Sequence, residues 1–165
     1  MARKLSLLLG VVFLFSISAQ AQDHADVFGG YSYERLGGSS GANLNGLEIT
    51  GQYKFARWIG LAADFDGHFG SPDQIDTKQV NFMVGPQISF PARVSPFFHI
   101  LGGIGHLRVD GSADTSFATA IGGGIDMRLG PVVSWRMFQA DDVVTRFFGG
   151  TQNNTRISTG LVFRF

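Results

Sequence analysis

Residues 153–165 read NNTRISTGLVFRF, and this stretch decides the fold. Counting in twos from its end, Phe165, Phe163, Leu161, Thr159 and Ile157 share one parity. Arg164, Val162, Gly160, Ser158 and Arg156 share the other. Successive side chains of a β-strand point to opposite faces. One face is therefore apolar and aromatic, and the other, Val162 apart, is small or cationic. A soluble chain ordinarily leaves its terminus polar and frayed. Here the sequence reaches its last residue in mid-pattern, so Phe165 is expected to be anchored.

Seven further alternating runs precede it. The first, residues 25–35, places Val27, Gly29, Tyr31 and Tyr33 on one face and Gly30, Ser32 and Glu34 on the other, with Phe28 as a fault in the alternation. The second, residues 45–55, is the cleanest: Leu47, Ile49, Gly51, Tyr53 and Phe55 alternate with Glu48, Thr50, Gln52 and Lys54. The third, 58–68, sets Ile59, Leu61, Ala63 and Phe65 against Asp64 and Asp66; the fourth, 78–90, sets Val80, Phe82, Val84 and Ile88 against Asn81, Met83 and Gln87. Pro86 predicts a weak or bulged place in the fourth ladder. The fifth run, 97–109, is the least regular. The sixth, 117–129, alternates Phe117, Ile121, Ile125 and Met127 with Ala118, Ala120, Asp126 and Arg128. In the seventh, 132–146, the parity fails, and a bulge between Arg136 and Gln139 restores it. The connections alternate in length. Residues 36–43, 67–77, 110–116 and 147–155 read as long polar loops, whereas 56–57, 91–94 and 130–131 read as short turns.

Composition supports strands in lipid. The 165 residues include 23 glycines and 16 phenylalanines, with mean hydropathy +0.13. Thirteen basic and thirteen acidic residues leave no net charge, which provides no basic field for nucleic acid. There is no cysteine, so disulfides and thiolate chemistry are excluded. At the amino end, Arg3 and Lys4 precede an apolar run over 5–15 and an A-x-A ending at Ala21. That pattern is a secretory signal peptide over residues 1–21, too short in its apolar run for a spanning helix of roughly 20 residues. Residues 22–165 then form one domain.

On these runs, and above all on FATAIGGGIDMRLGPVVSWRMFQADDVVTRF followed by QNNTRISTGLVFRF, the chain resembles the small eight-stranded outer-membrane β-barrel proteins of Gram-negative bacteria, of the broad OmpA and OmpX kind. The resemblance implies an all-β, antiparallel, up-and-down transmembrane barrel in the outer membrane, with short periplasmic turns and longer outside loops. Tyr53, Phe55, Trp58, Phe90, Trp135 and Phe165 then form an aromatic girdle at the periplasmic interface. It also implies a monomer in contact with outer-membrane lipid and lipopolysaccharide, and an assembly signal at Leu161, Phe163 and Phe165 read by the barrel assembly machinery. A soluble lipocalin-like barrel is the rival fold, and it would turn its apolar faces inward.

The inward parities collect Glu34, Glu48, Lys54, Asp64, Asp66, Asp126, Arg128, Arg156 and Arg164. An eight-stranded barrel is only wide enough for its own side chains, and charges inside it must be paired. The expectation is a structural charge network of Glu48, Lys54, Asp64, Asp126, Arg128, Arg156 and Arg164, with no cofactor and no metal. The protein then has a structural or surface-interaction role and is not an enzyme. A narrow channel for small solutes is the alternative. A lipid-modifying enzyme with His106, Asp110 and Ser112 at the outer rim is a second. Gly102, Gly103 and Gly105, and Gly122 to Gly124, lie inside strands with no following helix, so they make room for large neighbours and do not form a phosphate cradle. His99 is expected inside the barrel. Deleting Phe165 is expected to reduce the heat-modifiable folded band in outer-membrane fractions; unchanged assembly would remove the assembly signal from this reading.

Overall fold

The computed structural model describes residues 24–37, 41–71 and 75–165. The expected signal peptide, residues 1–21, lies outside them, as do the first two residues of the barrel segment and the centres of the first two long loops. Eight strands run β1 Ala25–Arg35, β2 Asn43–Lys54, β3 Ile59–Gly70, β4 Thr77–Ser89, β5 Val94–Val109, β6 Ser112–Arg128, β7 Val133–Thr145 and β8 Gln152–Arg164. Each pairs antiparallel with its sequence neighbours, and β8 pairs with β1 from Asp26↔Arg164 to Arg35↔Thr155, closing the barrel. Phe165 is held at the seam: its N–H donates to the Ala25 carbonyl at 2.8 Å, and its own carbonyl accepts from the backbone of His24 and Ala25 at 3.0 and 3.1 Å.

The barrel is apolar outside and polar inside. Leu47, Ile49, Leu61, Phe65, Phe82, Phe98, Ile100, Ile104, Ile121, Phe138, Ile157 and Leu161 are exposed, whereas Glu34, Glu48, Asp64, Asp66, Asn81 and Arg156 have no accessible surface. A soluble protein does not expose apolar side chains around its whole girth. The lipocalin-like alternative has the opposite polarity and is ruled out. The aromatic girdle expected at the terminal end is present, with Tyr53, Phe55, Trp58, Phe90, Trp135 and Phe165 all exposed.

Three features depart from the sequence reading. Residues 110–116 are not a loop: β5 and β6 continue to a two-residue turn at Asp110 and Gly111, with φ of 45° and 82°. Asp-Gly is the hairpin dipeptide for two positive φ values, and its twist matches the strands it joins. Phe28 does not break the alternation of β1, because it faces inward and is buried. Gly30 makes this possible, since a Cβ there would strike the Phe28 ring and the Thr159 carbonyl. Pro86 does interrupt the β4–β5 ladder, but without a bulge: pairing runs to Val84↔Gly102 and resumes in the same register at Gln87↔His99.

The bulge in β7 is where parity placed it. Arg136 pairs with Gly160 and Gln139 with Ser158, so Met137 and Phe138 together face Thr159. On the other side Asp126↔Arg136 is followed by Ile125↔Phe138, which identifies Met137 as the extra residue. The Thr159 hydroxyl donates to the Arg136 carbonyl at 2.9 Å and so satisfies a group the bulge removes from the ladder. Met137 and Phe138 both point to lipid, while Arg136 and Gln139 both point inward.

The two faces make opposite demands on substitution. Phe82 is exposed to lipid and Met83 is buried in the lumen. Arginine at a lipid-facing site near the bilayer midplane costs roughly 2–4 kcal/mol. Phe82→Arg is expected to impair folding into lipid bilayers strongly and Met83→Gln to be milder, as read by the heat-modifiable band shift; the reverse order would contradict this assignment of faces.

The lumen as candidate functional site

The lumen is filled in layers, each built from the inward parity of several strands. At the mouth beside the termini, Lys54 from β2 meets Asp26 from β1, with Nζ 2.5 Å from Oδ2. Arg164 is buried nearby and lines a cavity of 430 Å³ together with His24, Lys54, Arg57 and Arg128. Arg128 itself is exposed at this mouth, whereas its parity had suggested a place inside. It is the last residue of β6, where the barrel wall ends and the side chain reaches water.

One layer in, the Arg136 guanidinium lies between two rings, with its central carbon 4.2 Å from the Phe28 centroid and 4.1 Å from that of Phe97. Its edge donates to Asp126, from Nε at 2.8 Å and from Nη2 at 3.3 Å, and its Nη1 donates to Gln139 at 2.6 Å. A flat cation with a fixed donor fork suits this site, because faces and edge are satisfied by different partners.

The centre of the lumen is Arg156, the largest fully buried side chain. Its Nη1 donates to Asp64 at 2.7 Å and also to Asp66; Nε and Nη2 both donate to Asp141, at 3.0 and 2.7 Å. Glu48 lies further off, with Oε2 3.7 Å from Nε. Three strands besides its own, β2, β3 and β7, thus supply one guanidinium with four carboxylates. Neutral donors complete the layer. Thr50 donates to Asp64 at 2.8 Å, and Gln139 donates to Glu48 and Asp141 at 2.8 and 2.7 Å. His99 is inside, as its parity required, with Nε2 2.8 Å from Asp141 Oδ1. Beside this layer lies an apolar cluster of Ala62, Met83, Leu101, Ala118, Ala120 and Val143. Toward the loop end, Glu34, Asp66 and His68 meet, and above them Leu36, Ala42 and Leu44 form a second apolar cluster.

Of the residues expected in the network, the structure joins Glu48, Asp64 and Arg156 directly. Asp126 pairs with Arg136, and Lys54 and Arg164 stand at the mouth. The sequence reading missed Arg136, Gln139 and Asp141, which lie at or beyond the bulge, and His68, which shares the parity of Asp64 and Asp66 but sat at the edge of an expected loop. His106, Asp110 and Ser112 do not form a constellation. His106 Nδ1 contacts Thr115 Oγ1 at 2.8 Å, and among the described residues no hydrogen bond joins it to the other two.

Removing one partner from a buried ion pair leaves the others charged and unpaired, at a cost of about 3–5 kcal/mol. Arg156→Gln is expected to lower stability by that amount in denaturant unfolding from micelles. Arg128→Gln, at the exposed mouth, is expected to change it by less than about 1 kcal/mol.

Comparison with known proteins agrees with this architecture. Residues 7–165 match the family model for the outer membrane protein beta-barrel domain. No curated protein matches the sequence. Ail, the attachment invasion locus protein of Yersinia pestis, is 16% identical with a TM-score of 0.64, over 88% of this chain and 100% of that one. Neisserial surface protein A is 16% identical with a TM-score of 0.68, over 86% and 97%. The N-terminal β-barrel domain of Pseudomonas aeruginosa OprF is 13% identical with a TM-score of 0.53, over 88% and 100%. At such identities the likeness is one of fold. The family model spans nearly the whole sequence, and the chain therefore belongs to the outer-membrane β-barrel proteins, with the outer membrane as its location.

Proposed function

We propose that this protein has a structural or surface-interaction role in the outer membrane and does not conduct solutes. The observation that carries this reading is the filled lumen. The cavity of 430 Å³ at the terminal mouth and one of 420 Å³ at the loop mouth are separated by the Arg136 sandwich, the Arg156 network and the apolar clusters. A solute path through so narrow a barrel needs a clear bore or a lining of one sign, and both signs are present here. The wall is suited to lipid, with lipopolysaccharide at its outer rim, and the Phe165 end to the assembly machinery.

Among the described residues, the part of the outside surface that rises above its neighbour is the β5–β6 hairpin. Pairing of β6 with β7 ends at Ala118↔Thr145, whereas pairing with β5 continues to Val109↔Ser112. Residues 112–117 of β6 therefore stand above β7. The short 3-10 turn Phe147–Gly149 lies against them, with the Phe148 N–H donating to Asp114 and the Arg146 N–H to Ser116. This raised edge, with exposed Phe117 and Phe148 beside it, is the surface offered to a partner.

Planar-bilayer recording of the refolded protein tests the closed lumen. No steady conductance is expected. Stable, uniform openings whose ion selectivity changes in Arg156→Glu would replace this reading with the narrow channel.

A further inference from the structure

The loop-end half of the lumen holds more negative charge than its protein cations balance. Glu34, Glu48, Asp64, Asp66 and Asp141 are all buried there, and the guanidinium among them is that of Arg156. The other buried arginine of the interior, Arg136, is matched by Asp126, and Lys54 is matched by Asp26. Were both buried imidazoles, His68 and His99, to carry a proton, two carboxylates would still lack a counter-charge. Isolated charges in such surroundings are too costly to persist, so protons or a cation must enter.

The geometry identifies where. Glu34 on β1 and Asp66 and His68 on β3 each place one donor atom so that all three lie within 4.8 Å of one another, and all three residues are fully buried. His68 Nδ1 is 3.0 Å from Glu34 Oε2 and 3.0 Å from Asp66 Oδ1. Yet Nδ1 and Glu34 Oε2 make no hydrogen bond, to each other or to any other described group. The second carboxylate oxygens are already engaged: Glu34 Oε1 accepts from Gln79 and Asn154 at 2.9 and 2.8 Å, and Asp66 Oδ2 accepts from Arg156. Asp66 Oδ1, the oxygen that faces His68, also accepts from Asn81 at 2.8 Å.

The other ring nitrogen of His68 is held by a chain of hydroxyls. His68 Nε2 lies 2.9 Å from Ser32 Oγ, Ser32 Oγ lies 2.9 Å from Ser158 Oγ, and Ser158 contacts Glu48. The ring is thereby oriented with Nδ1 between the two carboxylates. A ring nitrogen anchored through hydroxyls on a carboxylate is the outer support that orients a metal-binding imidazole.

We propose that His68 Nδ1, Glu34 Oε2 and Asp66 Oδ1 bind one divalent transition-metal ion of the zinc type, which neutralises the buried acid excess and ties β1 to β3 across the lumen. One imidazole nitrogen and two carboxylate oxygens are a borderline donor set suited to such an ion, at roughly 2.0–2.2 Å from each ligand. Donor atoms 3.0 Å apart need only a small rotation of the carboxylates to reach that geometry. The site is covered on the outside by Leu36, Ala42 and Leu44, so the ion enters as the barrel closes and exchanges slowly afterwards.

The test uses the mature protein, residues 22–165, refolded into micelles after metal removal, with either Zn²⁺ or Co²⁺ present and then desalted. About one ion per chain is expected by elemental analysis, together with visible Co²⁺ absorption bands and a raised unfolding midpoint. The ion is expected to be lost in His68→Gln and retained in His99→Gln and in the exposed-site variant His106→Gln. Should His68→Gln fail to fold, the wild-type protein still decides. Absence of stoichiometric metal, with nitrogen chemical shifts showing both His68 nitrogens protonated, would overturn the site and leave a proton in its place. Full retention of the ion in a folded His68→Gln protein would overturn it equally.

Discussion

A backbone amide has no partner in hydrocarbon other than another part of the same protein, and every other feature of this barrel follows from that constraint. An open sheet would leave two edges unpaired in lipid, each unsatisfied group costing several kcal/mol. Closure of β8 on β1 removes both edges, and the seam extends to the backbone of Phe165 and Ala25. Once the sheet is closed, the alternation of side chains leaves no freedom. Whatever shares the parity of Phe82 meets lipid, and whatever shares the parity of Asp64 is shut inside.

The interior then becomes an electrostatic problem in a confined space. With eight strands, charged residues of the lumen cannot be separated by much water, so they satisfy one another or the barrel does not close. The solution found here is asymmetric. The two arginines deep in the lumen, Arg136 and Arg156, each gather several acceptors, while the anions are spread over many strands. Arg136 uses two aromatic faces besides its carboxylate, and this is why Phe28 and Phe97 point inward although both are large and apolar. The same economy of cations leaves an acid surplus toward the loop end.

Most of the architecture was legible because it depends on a period of two. Strand count, lipid-facing residues and the inward course of Glu48, Asp64 and Arg156 are all direct consequences of parity, and the bulge in β7 was visible as a fault in it. What escaped was whatever parity alone does not encode. Phe28 looked like a fault because apolar bulk on the inner face is intelligible only beside Gly30 and beneath Arg136. Asp141 and Gln139 became lumen residues only once the register beyond the bulge was known. His68 followed the parity of Asp66 but stood where polar residues suggested a loop. The Asp110–Gly111 turn carried its own dipeptide signal, hidden by the polar residues that follow on β6. Arg128 shows the converse limit, since parity assigns a face but not the height at which the wall stops.

The extra residue in β7 has a consequence of a genetic kind. Two residues, Met137 and Phe138, face Thr159 alone, and both point to lipid. Loss of either leaves the other opposite Thr159 and keeps Arg136↔Gly160 and Gln139↔Ser158 on both sides, so Arg136 stays with Asp126 and Asp141 with Arg156. A single-codon deletion is therefore absorbed at this point of the wall, as the conversion of a bulged strand into a regular one. In a stretch of regular ladder the same deletion turns the residues on one side of it to the opposite face. The bulge is thus a place where β7 can change length by one residue without moving a lumen charge.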